Sequence, residues 1–320
     1  MMKKFYSFLV VFFLILLLLF IFTNSVLVNE VISFSYDIFI NSVFPSLFPM
    51  FLISSLLVAM GIPKVLGSLF AIGMQKLFKV KGISSFIIFM SMLTGFPSSA
   101  KYIAELLDKN LITIDDAKKV LLFSFFSNPL FIINTVGILF LNNKTYGFLI
   151  LLAHILANFI LGIILRNYLK RNDNTVYSIK DSLKEMVNNI NNSNVFTILF
   201  TTIKNSLGLL LSIFGTITFF LILTNFVTLP FSSMTLKALV AGVLEMTSGL
   251  KYVSMLDYSL KVKAYLSVFL ISFGGLSIHT QIMSILSKYK MPYLPFLLSR
   301  IFHAIIGVVV LFLLFLFSSL

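Results

Sequence analysis

Two lysines stand where an apolar chain seldom carries charge. Lys101 follows Thr94-Gly95-Phe96-Pro97-Ser98-Ser99-Ala100, and Lys251 follows Met246-Thr247-Ser248-Gly249-Leu250. Both runs read as breaks in short apolar stretches, the first punctuated by Gly and Pro, the second by Gly. An ionisable group at membrane depth costs about 3 kcal/mol or more and marks a solute path by default. The competing reading is that each lysine snorkels its ammonium to a nearby interface. Glu105 lies four residues beyond Lys101 on the same helical face, so the two also read as an ion pair. Glu245 precedes the second break and has no basic residue four positions on. It reads as a proton or cation site, or as the neutraliser of Lys251.

His154 and Arg300 fall at corresponding points of the two halves, and His279 and His303 lie in the last two apolar runs. Imidazoles titrate near neutrality, so His154 and His279 are coupling candidates; the alternative is hydrogen-bonded packing. The three scattered histidines share no ligand spacing, and the chain has no cysteine, so no metal site is expected. Thr94, Ser98, Ser99, Asn128, Ser248, Ser277 and Gln281 supply neutral hydrogen-bonding groups near the breaks. Gly95, Pro97 and Gly249 shape the backbone there, and Phe96 is the candidate gate or stacking residue. Peptide N–H groups at the starts of half-helices add positive partial charge. Together with Lys101, Lys251 and Arg300 they predict an electropositive site for a small anion such as a carboxylate.

No catalytic set accompanies these residues. The chain lacks HExxH, a paired-carboxylate motif, a Gly-x-Ser-x-Gly elbow and a P-loop. Neither an enzyme nor a cofactor is expected, and any driving force must come from a gradient or a partner.

The elements that carry these residues must lie in a bilayer. Of 320 residues, 59% are hydrophobic and 11% charged, with 37 Phe, and mean hydropathy is +1.05. Too few polar residues remain to coat an apolar core in water, whereas lipid solvates apolar faces directly. The net charge of +13 raises nucleic acid as a partner. The basic residues, however, fall in short connectors between apolar runs, as the positive-inside rule expects, and nucleic acid is set aside.

The apolar runs predict seven spans and two hairpins. Phe5–Phe22 reads as an uncleaved anchor with a cytoplasmic N-terminus, since no small-x-small cleavage site follows it. Ile32–Met60 is interrupted at Pro45 and Pro49. Residues 83–107, broken at 94–99 and basic on both flanks, suit a re-entrant hairpin. Val120–Leu141 crosses with a break at Ser127-Asn128-Pro129, and Tyr146–Leu165 returns. Arg166–Asn194 is an inner polar connector, carrying Lys170 and Arg171, with a surface helix at Ser178–Ile190. Val195–Leu229 leads outward, Met234–Leu256 is a second broken hairpin, Ala264–Leu286 crosses with Gly274-Gly275 inside it, and a last span begins at Pro292-Tyr293. Sixteen of the 24 Lys and Arg fall on the inner side, while Lys261 and Lys263 run against the rule.

Four short matches keep their order along the chain: Phe39–Ser42 with Ile203–Ser206, Ser99–Ile103 with Gly249–Val253, Leu122–Phe125 with Leu270–Phe273, and Leu152–Ile155 with Leu298–Ile301. Fixed-order similarity marks a duplication. The expected fold is therefore all-α and polytopic. It has two inverted-topology repeats, each with a re-entrant, broken hairpin, around a midplane site. The anchor helix is assigned to 1–31, the first repeat to 32–170, the amphipathic cytoplasmic linker to 171–194 and the second repeat to 195–320.

The run Thr94–Lys101, the acidic segment Thr113–Ala117 and Ser127-Asn128-Pro129-Leu130-Phe131-Ile132 resemble the gate-domain (nucleoside-recognition-type) membrane proteins. Within these, the chain resembles the YlbJ family of sporulation integral membrane proteins, over about Ser42 to Arg300. Ser277–Gln281 after Gly274-Gly275 is similar to the family's second motif, while Ser99 stands where the family has Gly. The resemblance implies a duplicated gate fold and a role in endospore formation, in a bacterial cytoplasmic or spore-envelope membrane. It also implies movement of dipicolinate, a dianion that suits an electropositive site. Two function classes stand: a permease for a small anionic solute, or a non-transporting partner or regulatory subunit of a membrane complex, docking through 166–194. Lipid is the surrounding partner in either case, and a homo-oligomer is compatible with both.

Overall fold

The computed structural model describes residues 2–169, 178–192 and 194–317, with side chains from residue 7. Lys170, Arg171 and the start of the 171–194 linker lie outside the described residues. Among the described residues the chain is helical, without strands. A bilayer imposes this, because every peptide group must be satisfied within its own segment.

Helix α1 (Met2–Thr23) and helix α2 (Ser25–Ala59) meet at a kink, where Asn24 Nδ2 donates back to the Phe20 carbonyl at 3.1 Å. The expected interruption of α2 at its prolines takes a milder form. Pro45 has no N–H for the carbonyl four residues back. The helix stays continuous by widening over Phe39–Val43, where the Phe44 N–H bonds five residues back to Phe39. Wide turns of this kind cluster at functional sites. Helix α3 (Ile62–Leu69) follows, an amphipathic segment as expected on the 61–81 stretch.

The first hairpin is α4 (Ser84–Thr94) and α5 (Ser98–Asp108). Helix α6 (Ile114–Leu121) starts from a capping box in which Thr113 and Asp116 satisfy each other's backbone N–H. The chain is then irregular to Pro129 before α7 (Phe131–Phe140), a second wide-turned helix, and α8 (Lys144–Ile164). Surface helix α9 (Ile179–Asn192) leads to α10 (Val195–Thr228). The second hairpin is α11 (Met234–Leu244) and α12 (Met246–Ser254), and α13 (Leu260–Phe273), α14 (Gly275–Ile285) and α15 (Tyr293–Phe317) complete the chain.

Among the described residues, five helices are long and apolar enough to cross a membrane: Ser25–Ala59, Lys144–Asn167, Val195–Thr228, Leu260–Ile285 and Tyr293–Phe317. Of the two other expected spans, α1 is apolar throughout Ser7–Thr23. The other, Val120–Leu141, has only Phe131–Phe140 as its apolar helix, because regular helix stops at Leu121 and resumes only at Pro129.

The order long helix, broken hairpin, broken helix, long helix occurs twice. Helices α2 and α10 pack antiparallel: Phe51 and Leu47 meet Leu210 and Ile213, Phe39 lies 4.9 Å from Phe214, and Val28 reaches Phe226. The second arm of each hairpin touches the half-helix of the other half, α5 against α14 and α12 against α7. Helices α8, α13 and α15 close the other side.

Hydrogen bonds identify the two ends of this bundle. At one, Lys119 Nζ reaches the carbonyls of Lys79 and Arg166, Arg166 Nη2 donates to the Lys76 carbonyl at 2.6 Å, and Lys288 meets Asp108. Lys64 pairs with Glu185 at 2.5 Å, which docks α9 on α3 there. At the opposite end Thr235 Oγ1 lies 3.1 Å from Tyr258 OH, and Lys263 Nζ donates to the Ser254 carbonyl at 3.0 Å. Hairpin 1 therefore leaves from and returns to the lysine-rich end, and hairpin 2 to the other. Lys261 and Lys263, at odds with the charge rule, cover the Phe315 ring and a helix C-terminus.

Candidate functional site

The tip of each hairpin lies against a broken helix. Gly95 (φ +82°) ends α4, and a Cβ there would come within 2.4 Å of the Asn128 backbone nitrogen. In the other half, Gly275 sits against the Met246 nitrogen. These breaks, the wide turn of α2 and one face of α10 enclose a cavity of about 510 Å³. That volume suits a small organic solute. Its floor is apolar, with Ile213, Ile217 and Phe131, and its polar groups come from every break.

Of the residues singled out from the sequence, Thr94, Phe96, Pro97, Asn128, Glu245 and Gln281 line the cavity, as does Ser277. Asn128 organises the first half. Its Nδ2 donates to Ser46 Oγ at 2.7 Å and to the Thr94 carbonyl at 3.3 Å, while its Oδ1 accepts from Leu130 N–H at 2.8 Å. Thr94 Oγ1 bonds the Met90 carbonyl at 2.8 Å and contacts Ser98 Oγ. Glu245 is extended (φ −138°, ψ 114°), ends α11, and caps α12 by accepting from the Ser248 N–H at 2.8 Å. Gln281 Nε2 lies 3.5 Å from Ser277 Oγ on α14.

The other singled-out residues stand elsewhere. Gly95, Ser98 and Ser99 pack behind the first break, and Ser248 and Gly249 behind the second. Gly249 is inside α12, with its missing side chain facing Gly242: a Cβ would fall 2.2 Å from the Gly242 Cα. The missing side chain lets the two arms of the hairpin pack closely. Lys101 is buried and consumed by structure. Its Nζ donates to Glu105 Oε1 at 2.8 Å and Ser55 Oγ at 2.7 Å, bolting α5 to α2. Lys251 is exposed, with its ammonium 4.8 Å from the Phe34 ring centroid.

The two coupling histidines are engaged in packing. His154 Nε2 accepts from the Ser127 N–H at 2.9 Å, so Nδ1 carries the proton toward Ser272 Oγ, also at 2.9 Å. His279 Nε2 donates to the Phe273 carbonyl at 2.9 Å, leaving Nδ1 for Tyr293 OH at 3.2 Å. The accepting bond at Nε2 holds His154 in its Nδ1-protonated tautomer. Arg300 is fully buried and outside the cavity lining.

The expected electropositive wall is thus corrected: no lysine or arginine lines the cavity, and its one ionisable residue is Glu245. Positive potential comes instead from backbone. Helices α5 and α14 begin beside the cavity with no side-chain cap, at Pro97 and Gly274. Sequence reasoning missed Asn41, Ser42, Ser46, Asn134 and Thr135 in the lining. The signal for the first three was Pro45 just after a pair of small polar residues within an apolar helix.

Outside the spans, Asp108, Lys288 and Tyr289 latch hairpin 1 to the end of α14. Lys288 Nζ and Tyr289 OH both reach Asp108 Oδ1, at 2.5 and 2.6 Å. Partial burial pushes the Asp108 carboxyl up, but the Lys288 and Tyr289 hydrogen bonds pull it below its usual range. Lys288 is raised in turn by those same bonds.

No family model and no solved structure matches the chain. A curated relative does. Over 304 residues the chain is 31% identical to the sporulation integral membrane protein YlbJ of Bacillus subtilis (strain 168), an alignment covering 83% of this chain and 72% of that protein. Identity at this level across most of both chains extends beyond the motifs at the breaks, and the chain belongs to the YlbJ family of sporulation integral membrane proteins.

Proposed function

We propose that the protein is a permease for a small anionic solute during spore formation, with dipicolinate as the solute that the family resemblance favours. The observation that carries this is a cavity built jointly by the breaks of both halves. Non-helical backbone at membrane depth is tolerated only in protein or along a water-filled path. Hydroxyl and amide groups bind the solute, the uncapped starts of α5 and α14 attract its carboxylates, and Glu245 carries the coupling proton or cation. The two halves form an inverted pair that rocks about this site. The lysine-rich end is cytoplasmic by the positive-inside rule.

The test is uptake of labelled dipicolinate by proteoliposomes containing the full chain. Uptake well above that of protein-free liposomes, cut at least tenfold by Asn128→Ala, supports the reading. A rate equal to that of protein-free liposomes overturns it. A second reading, a non-transporting partner, draws on α9, whose Ile179, Leu183, Val187 and Ile190 form an exposed apolar stripe. Deleting α9 separates the two: loss of complex assembly with solute flux intact favours the partner.

A further inference from the structure

Arg300 carries a positive charge into the interior with no acid beside it. It is 0% exposed, and among the described residues no carboxylate meets it. Its guanidinium donates to the Leu122 carbonyl, to Ser299 Oγ at 3.2 Å and to His303 Nδ1 at 3.2 Å. These satisfy N–H groups but leave the charge uncompensated. A buried ion is normally paired, because desolvation otherwise disfavours it strongly. The remaining support is aromatic: the guanidinium carbon lies 4.4 Å from the Phe125 ring centroid and 5.4 Å from that of Phe296.

Phe125 is also what separates Arg300 from the cavity. Its ring stacks on Phe96 at 4.7 Å, and Phe96 lines the cavity wall. The order from the cavity inward is Phe96, Phe125, Arg300. Both rings stand on non-helical backbone, Phe96 just after Gly95 and Phe125 in the irregular segment before Asn128. Phe125 rests on Gly274, where a Cβ would come within 2.3 Å of the ring, and Gly274 (φ +89°) is itself the joint between α13 and α14. The aromatic pair therefore touches the glycine joints of both halves.

We propose that Arg300 is a latent carboxylate-binding site, and that the Phe96–Phe125 stack is the shutter that uncovers it. In the state described here the shutter is closed. When the joints at Gly95 and Gly274 turn, the rings part and a carboxylate of the solute forms a bidentate pair with the guanidinium. Arginine suits this task because its planar fork matches a carboxylate. The solute then supplies the counter-charge that the fold withholds, which makes opening depend on an anion. This inference rests on the anion-permease reading above and adds the residue that recognises the charge.

The experiment labels detergent-solubilised full-length protein with phenylglyoxal, quantified at Arg300 by peptide mass spectrometry with Arg166 as internal reference. Uptake of the aromatic dicarboxylate is measured in parallel in proteoliposomes. Phe96→Ala is expected to raise Arg300 labelling several-fold, and the dicarboxylate to suppress it. Arg300→Gln is expected to cut uptake at least tenfold, with Arg300→Lys recovering only part because the fork is lost. Since Arg300→Gln also removes packing, the labelling of the Phe96→Ala protein keeps the proposal falsifiable if that variant misfolds. Uptake by the native chain, with Arg300 labelling equal in native and Phe96→Ala protein and unaffected by the dicarboxylate, overturns the shutter and the site while leaving the permease reading intact. No dicarboxylate uptake by the native chain overturns both.

Discussion

The Asn128 side-chain amide donates to Ser46 Oγ at 2.7 Å, joining the irregular segment before α7 to the turn of α2 just past its widening. Because the same amide reaches the Thr94 carbonyl, one residue fastens three of the cavity's walls. Asn128→Asp keeps the size but replaces the donor by an acceptor facing an acceptor carbonyl. It is expected to reduce uptake at least tenfold, whereas Ser46→Ala, which leaves the Thr94 bond, is expected to cost about 1 kcal/mol, the net worth of one hydrogen bond. Initial uptake rates at several solute concentrations check both.

Lys101 and Glu105 form an ion pair at 2.8 Å within α5. Glu105→Gln leaves a buried ammonium with only serines, carbonyl and aromatic faces around it, and breaking such a pair costs about 3 kcal/mol. The melting temperature in detergent should fall by several degrees. Lys101→Met together with Glu105→Met should recover most of the loss. A double variant as unstable as the Glu105→Gln protein would refute the pairing.

The Gly242–Gly249 approach predicts a steep steric response. Gly249→Ala places a methyl 2.2 Å from the Gly242 Cα. Overpacking of this kind costs about 1–3 kcal/mol, and here backbone must move. Protease susceptibility of the segment after Ser254 should rise, while Gly208→Ala, where nothing lies within 4 Å of the added carbon, should leave it unchanged.

The Asp108 latch has a signed pH dependence. Its carboxyl is held below the ordinary value, so the contact's contribution is present above the unfolded carboxylate range and is lost as pH falls through the lowered folded value. Lys288 is raised, so it stays charged through and beyond neutrality. Hydrogen-exchange protection at the end of α5, corrected for the intrinsic exchange rate, should be flat from about pH 5 to 8 and fall on acidification below about pH 4. Asp108→Asn should show the lower protection at every pH.

The opposite placement of the two hairpins predicts the sidedness of labelling. In this cysteine-free chain, Asn110→Cys and Asp257→Cys are both exposed positions beside hairpin 1 and hairpin 2 respectively. A membrane-impermeant maleimide applied from one side should modify only one of them. Modification of both from the same side would remove the inverted arrangement.

Some of this was legible residue by residue, and the exceptions share a cause. The break at Gly95-Phe96-Pro97 could be read because Gly and Pro act on their own backbone. Hairpin 2 breaks at Glu245, a residue without such a preference, and the neighbouring Gly249, which looked like the turn, is a packing glycine inside a helix. The position of Lys101 near a break was correctly read, but not that Ser55 and Glu105 would absorb its charge, since Ser55 is 46 residues away in sequence. Arg300 was chosen for its charge in an apolar helix. That Phe125 would stand between it and the cavity is set by three segments meeting, which local pattern does not encode. The widening of α2 that brings Asn41 and Ser42 to the cavity arises from a proline two residues beyond its end, and period alone does not show it.

The bare backbone contact between Gly242 and Gly249 has a mechanical consequence. With no side chain between its arms, hairpin 2 contains nothing compressible, and close-packed protein transmits strain and does not absorb it. A displacement of its tip at Glu245 is therefore expected to move both arms together, as one wedge.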